Sequence, residues 1–227
     1  MTFSLSSRSL LTHRDVGRFP SESLFDKLAR AVCRAECLPR KELYEAWEVA
    51  KRVRRTVRGG RVVDLACGHA LTAHAMLLLD DSSPSALAID TRIPPSAKLL
   101  HDELVRTWPR LEGRIAIEER GIESVTLTER DVVVSVHACG ALTDVVLARA
   151  IEARARVAVL PCCHDAATCS TGGLGGWMDD ALAIDATRVH RLSAAGYAVK
   201  TQAIPSAITP KNRLLVGLPI SSRRSAD

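Results

Sequence analysis

Two short clusters hold most of the side chains in this sequence that are suited to chemistry: His137-Ala138-Cys139-Gly140 and Pro161-Cys162-Cys163-His164. Imidazoles accept and relay protons near neutral pH, and thiols become nucleophiles once ionised. A single His or Cys is usually packing material, buried free cysteine above all. Two clusters at equivalent places in a repeating pattern point instead to a shared site. A third segment, Val62-Val63-Asp64-Leu65-Ala66-Cys67-Gly68-His69-Ala70, carries an acidic residue at the end of an apolar run and then alternates small residues. Small residues let a backbone approach a ligand closely.

The elements that must position these groups follow from periodicity. After Gly59-Gly60, short runs rich in Val, Ile and Ala alternate with longer helical segments, the pattern of repeated βα units. Strands are expected at Arg61–Leu65, Ala86–Asp90, Arg114–Glu119, Asp131–Val136, Val157–Leu160, Tyr197–Ala203 and Arg213–Leu218. Helices are expected at Leu71–Leu79, Ala97–Trp108, Thr143–Glu152 and Asp179–Ala195, each with an apolar stripe. The last two strands are joined through a Pro-containing loop without a helix, which predicts an antiparallel hairpin. The expected fold is therefore α/β: a Rossmann-like, seven-stranded, mostly parallel sheet with helices on both faces and a C-terminal antiparallel hairpin. Adjacent parallel strands lie about 4.8 Å apart, so the clusters after the fourth and fifth strands are expected to face each other.

Ahead of the sheet, apolar residues at helical spacing (Leu24, Phe25, Leu28, Val32; then Leu43, Trp47, Ala50, Val53, Val57) predict two helices divided by Pro39. The predicted organisation is a basic flexible arm over 1–20, a helical preface over 21–58, a catalytic domain over 59–220 and a disordered tail over 221–227. The arm carries Arg8, Arg14 and Arg18 against Asp15, without a secretory apolar core or cleavage signal.

In an open parallel sheet, ligands bind beyond the carboxyl ends of the strands where strand order reverses. Asp64, Ala66, Gly68 and Ala70 are expected there. Asp90, closing the second strand, is placed to accept the ribose hydroxyls of an adenine nucleoside. A nicotinamide loop would read G-x-G-x-x-G; here Asp64 ends the strand instead and suits a cofactor bearing an ammonium and a sulfonium. The expected cofactor is S-adenosylmethionine. Gly121 and Ile122, beyond the third strand, are either its adenine contacts or a turn glycine and a core isoleucine.

His137-Ala138-Cys139-Gly140-Ala141-Leu142-Thr143-Asp144 resembles the H-x-C-G-x-x-x-D segment of the methyltransferases related to the eukaryotic tRNA acceptor-stem ribose 2'-O-methyltransferases. Cys162-Cys163-His164 is similar to that family's C-C-H or C-C-Y segment. Pro39-Arg40-Lys41-Glu42-Leu43-Tyr44-Glu45 resembles a P-K-K-x-x-E element that precedes its cofactor loop. The resemblance spans about 39–218 and departs from the usual loop at Ala66 and Ala70, where glycine is commoner. It implies a class I methyltransferase domain and methyl transfer to RNA, tRNA or rRNA, at a ribose hydroxyl or a base. The candidate catalytic residues are His137, Cys139, Cys163 and His164, with His137 ranked first as the base and also beside the cofactor. Arg40 and Lys41 are candidate substrate contacts.

Other readings compete. One of the thiols could attack cytosine for carbon methylation, although the proline–cysteine pair expected after the fourth strand is missing. The same fold could serve a protein or small-molecule acceptor, or act as a non-catalytic cofactor-binding regulator. No metal is expected, because adjacent cysteines rarely ligate one ion and Cys33-x-x-x-Cys37 has no second pair. The basic residues Arg40, Lys41, Lys51, Arg52, Arg54, Arg55, Arg58 and Arg61 either steer phosphates or form a solvated helix face.

With 227 residues, 47% of them hydrophobic, the chain can bury one substantial core. The excess of 31 Lys and Arg over 26 acidic residues gives +5, compatible with an anionic partner. Seven cysteines, an odd number, argue against a disulfide framework and for a reducing, cytoplasmic setting. No apolar run approaches the roughly 20 residues a membrane helix needs, so no membrane association is expected, and no obligate protein partner is inferred.

Overall fold

The computed structural model describes residues 3–220; the expected tail over 221–227 lies outside them. The elements in chain order are α1 (Leu24–Ala35), α2 (Arg40–Thr56), β1 (Val62–Leu65), α3 (Leu71–Leu79), β2 (Ala86–Asp90), α4 (Ser96–Thr107), β3 (Ile115–Glu119), β4 (Val132–Ser135), α5 (Leu142–Glu152), β5 (Arg156–Val159), α6 (Asp180–Ala194), β6 (Tyr197–Ala203) and β7 (Arg213–Pro219). Every strand, and each of the four helices given limits from sequence, begins and ends within one residue of expectation.

One seven-stranded sheet runs in the order β3-β2-β1-β4-β5-β7-β6. Strands β1 to β5 pair in parallel, and β7 pairs antiparallel with both β5 and β6. Strand order reverses between β1 and β4, which makes the carboxyl ends of these two the ligand crevice.

The sheet is covered on both sides, and the strands show it residue by residue. Val62, Val132, Val134 and Ala158 belong to one apolar cluster, whereas Val63, Val133, Val157 and Val159 belong to the other. This alternation is the period-2 pleat with both faces buried. Helices α1 to α4 supply the first cluster; α5 and α6 supply Val146, Leu147, Ala150 and Leu192 to the second. The preface helices therefore share one core with the sheet.

At the N-terminal edge of β1, Gly60 adopts φ +79°, and a side chain there would run into the Arg130 carbonyl and the Arg156 guanidinium. Only glycine permits both the left-handed turn and this approach.

Residues 3–20 depart from the flexible arm expected of them. The arm is built into the fold: Leu11 is fully buried and Phe19 is 3% exposed. Its backbone pairs with the start of α2, with Leu11 N–H donating to Leu38 O at 3.0 Å, Arg40 N–H to Ser9 O at 3.1 Å and Lys41 N–H to Ser7 O at 3.0 Å. Phe3, Phe19 and Phe25 stack edge to face in series, with centroids 6.1 Å apart at each step. Burial of such rings anchors the segment, and Arg18 lies over the Phe3 ring at 4.7 Å from its centroid. No helix among the described residues is long and apolar enough to cross a membrane.

Candidate functional site

The loop after β1 turns through three left-handed residues: Ala66 (φ +58°), Gly68 (φ +52°) and Ala70 (φ +59°). Two of these positions carry a Cβ in a conformation that costs an L-residue about 1–2 kcal/mol. Such outlying backbone persists where the surroundings over-determine it, and three hydrogen bonds do so here. Cys67 N–H donates to Ile89 O at 3.0 Å, Gly68 N–H to Asp90 Oδ2 at 3.0 Å, and Ser135 Oγ to Leu65 O at 2.6 Å. The ends of β1, β2 and β4 are thus tied to one loop.

Asp64 lies beneath that loop, 1% exposed. Its Oδ2 accepts from Ala73 N–H at 3.1 Å in the first turn of α3, where the helix dipole favours a carboxylate. Burial nevertheless pushes the Asp64 carboxyl up to about 7, with the Ala73 hydrogen bond opposing and the charge of Asp90 reinforcing the rise. An S-adenosylmethionine fits this crevice on one observation in particular. A Cβ built on Gly68 meets nothing within 4 Å, so the turn opens onto free space beside the Asp90 carboxylate. Gly121 and Ile122 sit at the end of the neighbouring β3; Ile122, 4% exposed, packs with Leu65 and Ile89 and is a core residue.

Beyond β4 lies a cavity of about 600 Å³ lined by His137, Cys162 and Cys163, with Lys41 and Glu45 from α2, Arg8 from the N-terminal segment, and Lys211 from the β6–β7 loop. Burial, reinforced by the charge of Lys41, lowers the His137 imidazole to about 4. The neutral ring presents an acceptor nitrogen. Lys41 Nζ pairs with Glu45 Oε1 at 3.2 Å, and the other carboxylate oxygen of Glu45 is buried without a partner. Glu45 was not singled out as a site residue; its only sequence signal is the i, i+4 spacing from Lys41 in the Pro39–Glu45 element.

The three thiols of the two clusters converge. Cys139 Sγ lies 2.9 Å from Cys162 Sγ and 3.4 Å from Cys163 Sγ, and the last two are 3.8 Å apart. Neighbouring β4 and β5 bring together thiols that the sequence separates. Burial, together with the mutual proximity of the three thiols, pushes Cys162 up.

His164 departs from the catalytic expectation. Its side chain is 2% exposed and its Nε2 meets Asp185 Oδ1 at 2.8 Å. Asp185 also pairs with Arg188 at 3.3 Å and Arg213 at 2.6 Å. A buried carboxylate needs such partners, and His164 is one of them rather than a wall of the cavity. Arg40 is likewise committed elsewhere: its guanidinium stacks 3.5 Å from the Phe3 ring centroid and donates to Ser4 O at 2.9 Å. Of the two expected substrate contacts, only Lys41 lines the cavity. The other basic residues of α2 are largely spoken for, Arg54 by Asp80, Arg52 and Lys51 by Glu48, and Arg61 beyond the helix by Asp131.

Comparison with known proteins agrees with this geometry. Residues 40–169 match the family model described as a methyltransferase domain. No curated protein matches the sequence. Among solved structures, an O-methyltransferase family protein from Burkholderia thailandensis superposes with a TM-score of 0.53 at 17% identity, over 93% of this chain and 64% of that one. The tRNA methyltransferase TrmK from B. subtilis gives 0.51 at 14% identity, over 76% of this chain and 65% of that one. A ribosomal protein L11 methylase from Lactobacillus delbrueckii subsp. bulgaricus gives 0.50 at 12% identity, over 77% and 76%. At these identities the likeness is one of fold, and this chain spans a little under two thirds of the first two proteins. The family match covers more than half of the chain, and with the crevice between β1 and β4 it leads to one statement: the chain belongs to the methyltransferase domain family and is an S-adenosylmethionine-dependent methyltransferase.

Proposed function

We propose that the protein methylates RNA, tRNA or rRNA, at a ribose hydroxyl or base admitted to the cavity beyond β4. The observation that carries this reading is the convergence of basic groups on the cavity: Arg8, Lys41 and Lys211 reach it from three separate segments, against Glu42 and Glu45, both from α2. Basic groups converging from different elements suit a phosphate-bearing acceptor. A volume of about 600 Å³ is that of a small-molecule pocket; it suits one unstacked nucleotide of a single-stranded or looped segment. Fold does not choose the acceptor, since proteins named for tRNA and for ribosomal protein methylation share it.

S-adenosylmethionine, when bound, supplies an electrophilic methyl carbon. The residues of this chain have to hold the acceptor in line with it, and orientation of that kind is worth about 7–11 kcal/mol. His137, neutral and half-buried at the end of β4, accepts the hydrogen bond of the acceptor group and fixes its direction. Lys41, held by Glu45, sets the adjacent phosphate. Seven unpaired cysteines suit a reducing compartment such as the cytoplasm.

Charge reversal tests the RNA reading. Arg8→Glu with Lys211→Glu is expected to weaken binding of total RNA at least about 10-fold and to flatten its salt dependence, with cofactor affinity retained. Unchanged RNA binding, or a flat salt response in the unaltered protein, would contradict it.

A further inference from the structure

The convergence of Cys139, Cys162 and Cys163 serves no step of the methyl transfer described above. Their three sulfur atoms lie 2.9, 3.4 and 3.8 Å apart, close enough together to share one ion. We propose that these three cysteines form a three-thiolate site for a single thiophilic d¹⁰ cation, Zn²⁺ by chemical preference, with a fourth position left to water or to a ligand from the cavity.

The geometry favours one ion over a disulfide with a bystander. Sulfurs bound tetrahedrally at about 2.3 Å are about 3.8 Å apart. The adjacent pair Cys162 and Cys163 already has that separation, so both can serve one centre although they are neighbours in sequence. The remaining distances need to open by less than about 1 Å to reach the tetrahedral edge. A Cys139–Cys162 disulfide would leave Cys163, 3.4 Å from Cys139, without a role. Cys139 and Cys163 are exposed and Cys162 is half-buried, so an ion can enter from solvent.

The support behind the thiols is that of a prepared site. Arg188, whose side chain is 1% exposed, donates to Gly140 O at 3.0 Å, next to Cys139, and pairs with Asp144 at 2.8 Å. Through Asp185 it also reaches His164, the residue after Cys163. Thr143 Oγ1 donates to Ala138 O at 2.5 Å on the other side of Cys139. One buried ion-pair network therefore fixes both loops that carry the sulfurs, as outer hydrogen bonds do for metal ligands. Soft sulfur donors select Zn²⁺ or Cu⁺ over hard cations. Binding replaces the three S–H protons, which pass to the buffer, and leaves three S–metal bonds.

The test uses the full chain, reduced and stripped with a chelator. Zn²⁺ titrated against a chromophoric competitor should bind one ion per chain, release about three protons per ion at a pH below the thiol range, and protect all three thiols from alkylation. Co²⁺ in its place should give sulfur-to-cobalt charge-transfer absorption. Cys139→Ser, Cys162→Ser and Cys163→Ser should each weaken Zn²⁺ binding on the order of 100-fold or more, and Cys37→Ala should not. Absence of saturable Zn²⁺ binding, a Co²⁺ spectrum without thiolate absorption, or binding that survives the serine variants would overturn the proposal. The Co²⁺ spectrum of the unaltered protein decides the matter even where a variant fails to fold, and none of these readouts depends on methyl transfer.

Discussion

Gly68 and Asp90 are joined across the crevice by a hydrogen bond of 3.0 Å, the backbone N–H of the loop after β1 donating to the carboxylate that closes β2. The same Asp90 carboxylate accepts from Arg92 N–H at 3.3 Å, so one side chain braces both the loop after β1 and the turn after β2. Asp90→Ala removes a charged acceptor worth about 1.5–3 kcal/mol. Affinity for S-adenosylmethionine or its demethylated product should fall roughly 10- to 100-fold by calorimetry, with the thermal unfolding midpoint changed far less. Full retention of affinity would remove Asp90 from the cofactor site.

Ala66 carries left-handed strain that glycine would relieve. Ala66→Gly should leave stability unchanged or raise it by up to about 1 kcal/mol, the relief of strain set against the entropy of glycine. Ala66→Val, β-branched at φ +58°, should cost about 2 kcal/mol or more. Urea denaturation of the three proteins separates these outcomes; a valine variant as stable as the parent would mean the loop is not held as described.

His137 and His164 should respond to substitution in different currencies. His137→Ala should lower kcat about 10²- to 10⁴-fold while leaving cofactor affinity near normal. His164→Ala should instead lower stability, because it strips a partner from the buried Asp185 carboxylate. Equal turnover by His137→Ala and the unaltered protein would take His137 out of the mechanism.

Acid should destabilise the fold through His74. This side chain is fully buried in α3, with Nδ1 bonded to Ala70 O at 2.7 Å and Nε2 to His101 Nδ1 at 3.1 Å. Burial lowers it from 6.5 to about 4, with the Ala70 hydrogen bond opposing and the charge of His101 reinforcing the shift. The folded state thus resists a proton that the unfolded state accepts below pH 6.5, so stability is lost as pH falls from about 6.5 towards 4. In urea melts at pH 7 and pH 4.5, His74→Gln should lose less stability on acidification than the parent. An equal loss would exonerate His74.

Much of this was legible in the sequence because local signals agreed. Runs of Val, Ile and Ala bounded by Gly, Pro and Asp marked each strand, and the missing helix between β6 and β7 marked the hairpin. The misreadings share a cause, since each depended on a partner distant in the chain. Leu11 and Phe19 are isolated apolar residues without periodicity, so nothing local showed that they fill a core gap beside α2. The partner of His164, Asp185, and the ring over Arg40, Phe3, both lie far away along the chain. The mutual approach of the three thiols is likewise set by the pairing of β4 with β5, which linear spacing does not show. The strain at Ala66 and Ala70 was foreshadowed only by the absence of the commoner glycine.

The proposed acceptor of the methyl group is RNA. The most direct test is incubation of the purified chain with methyl-labelled S-adenosylmethionine and cell extract separated into RNA, protein and small-molecule pools, followed by digestion of whichever pool takes up label. Label is expected in RNA, recovered as a methylated nucleoside, lost with His137→Ala and diminished by added salt. Label confined to protein or to small molecules would contradict it.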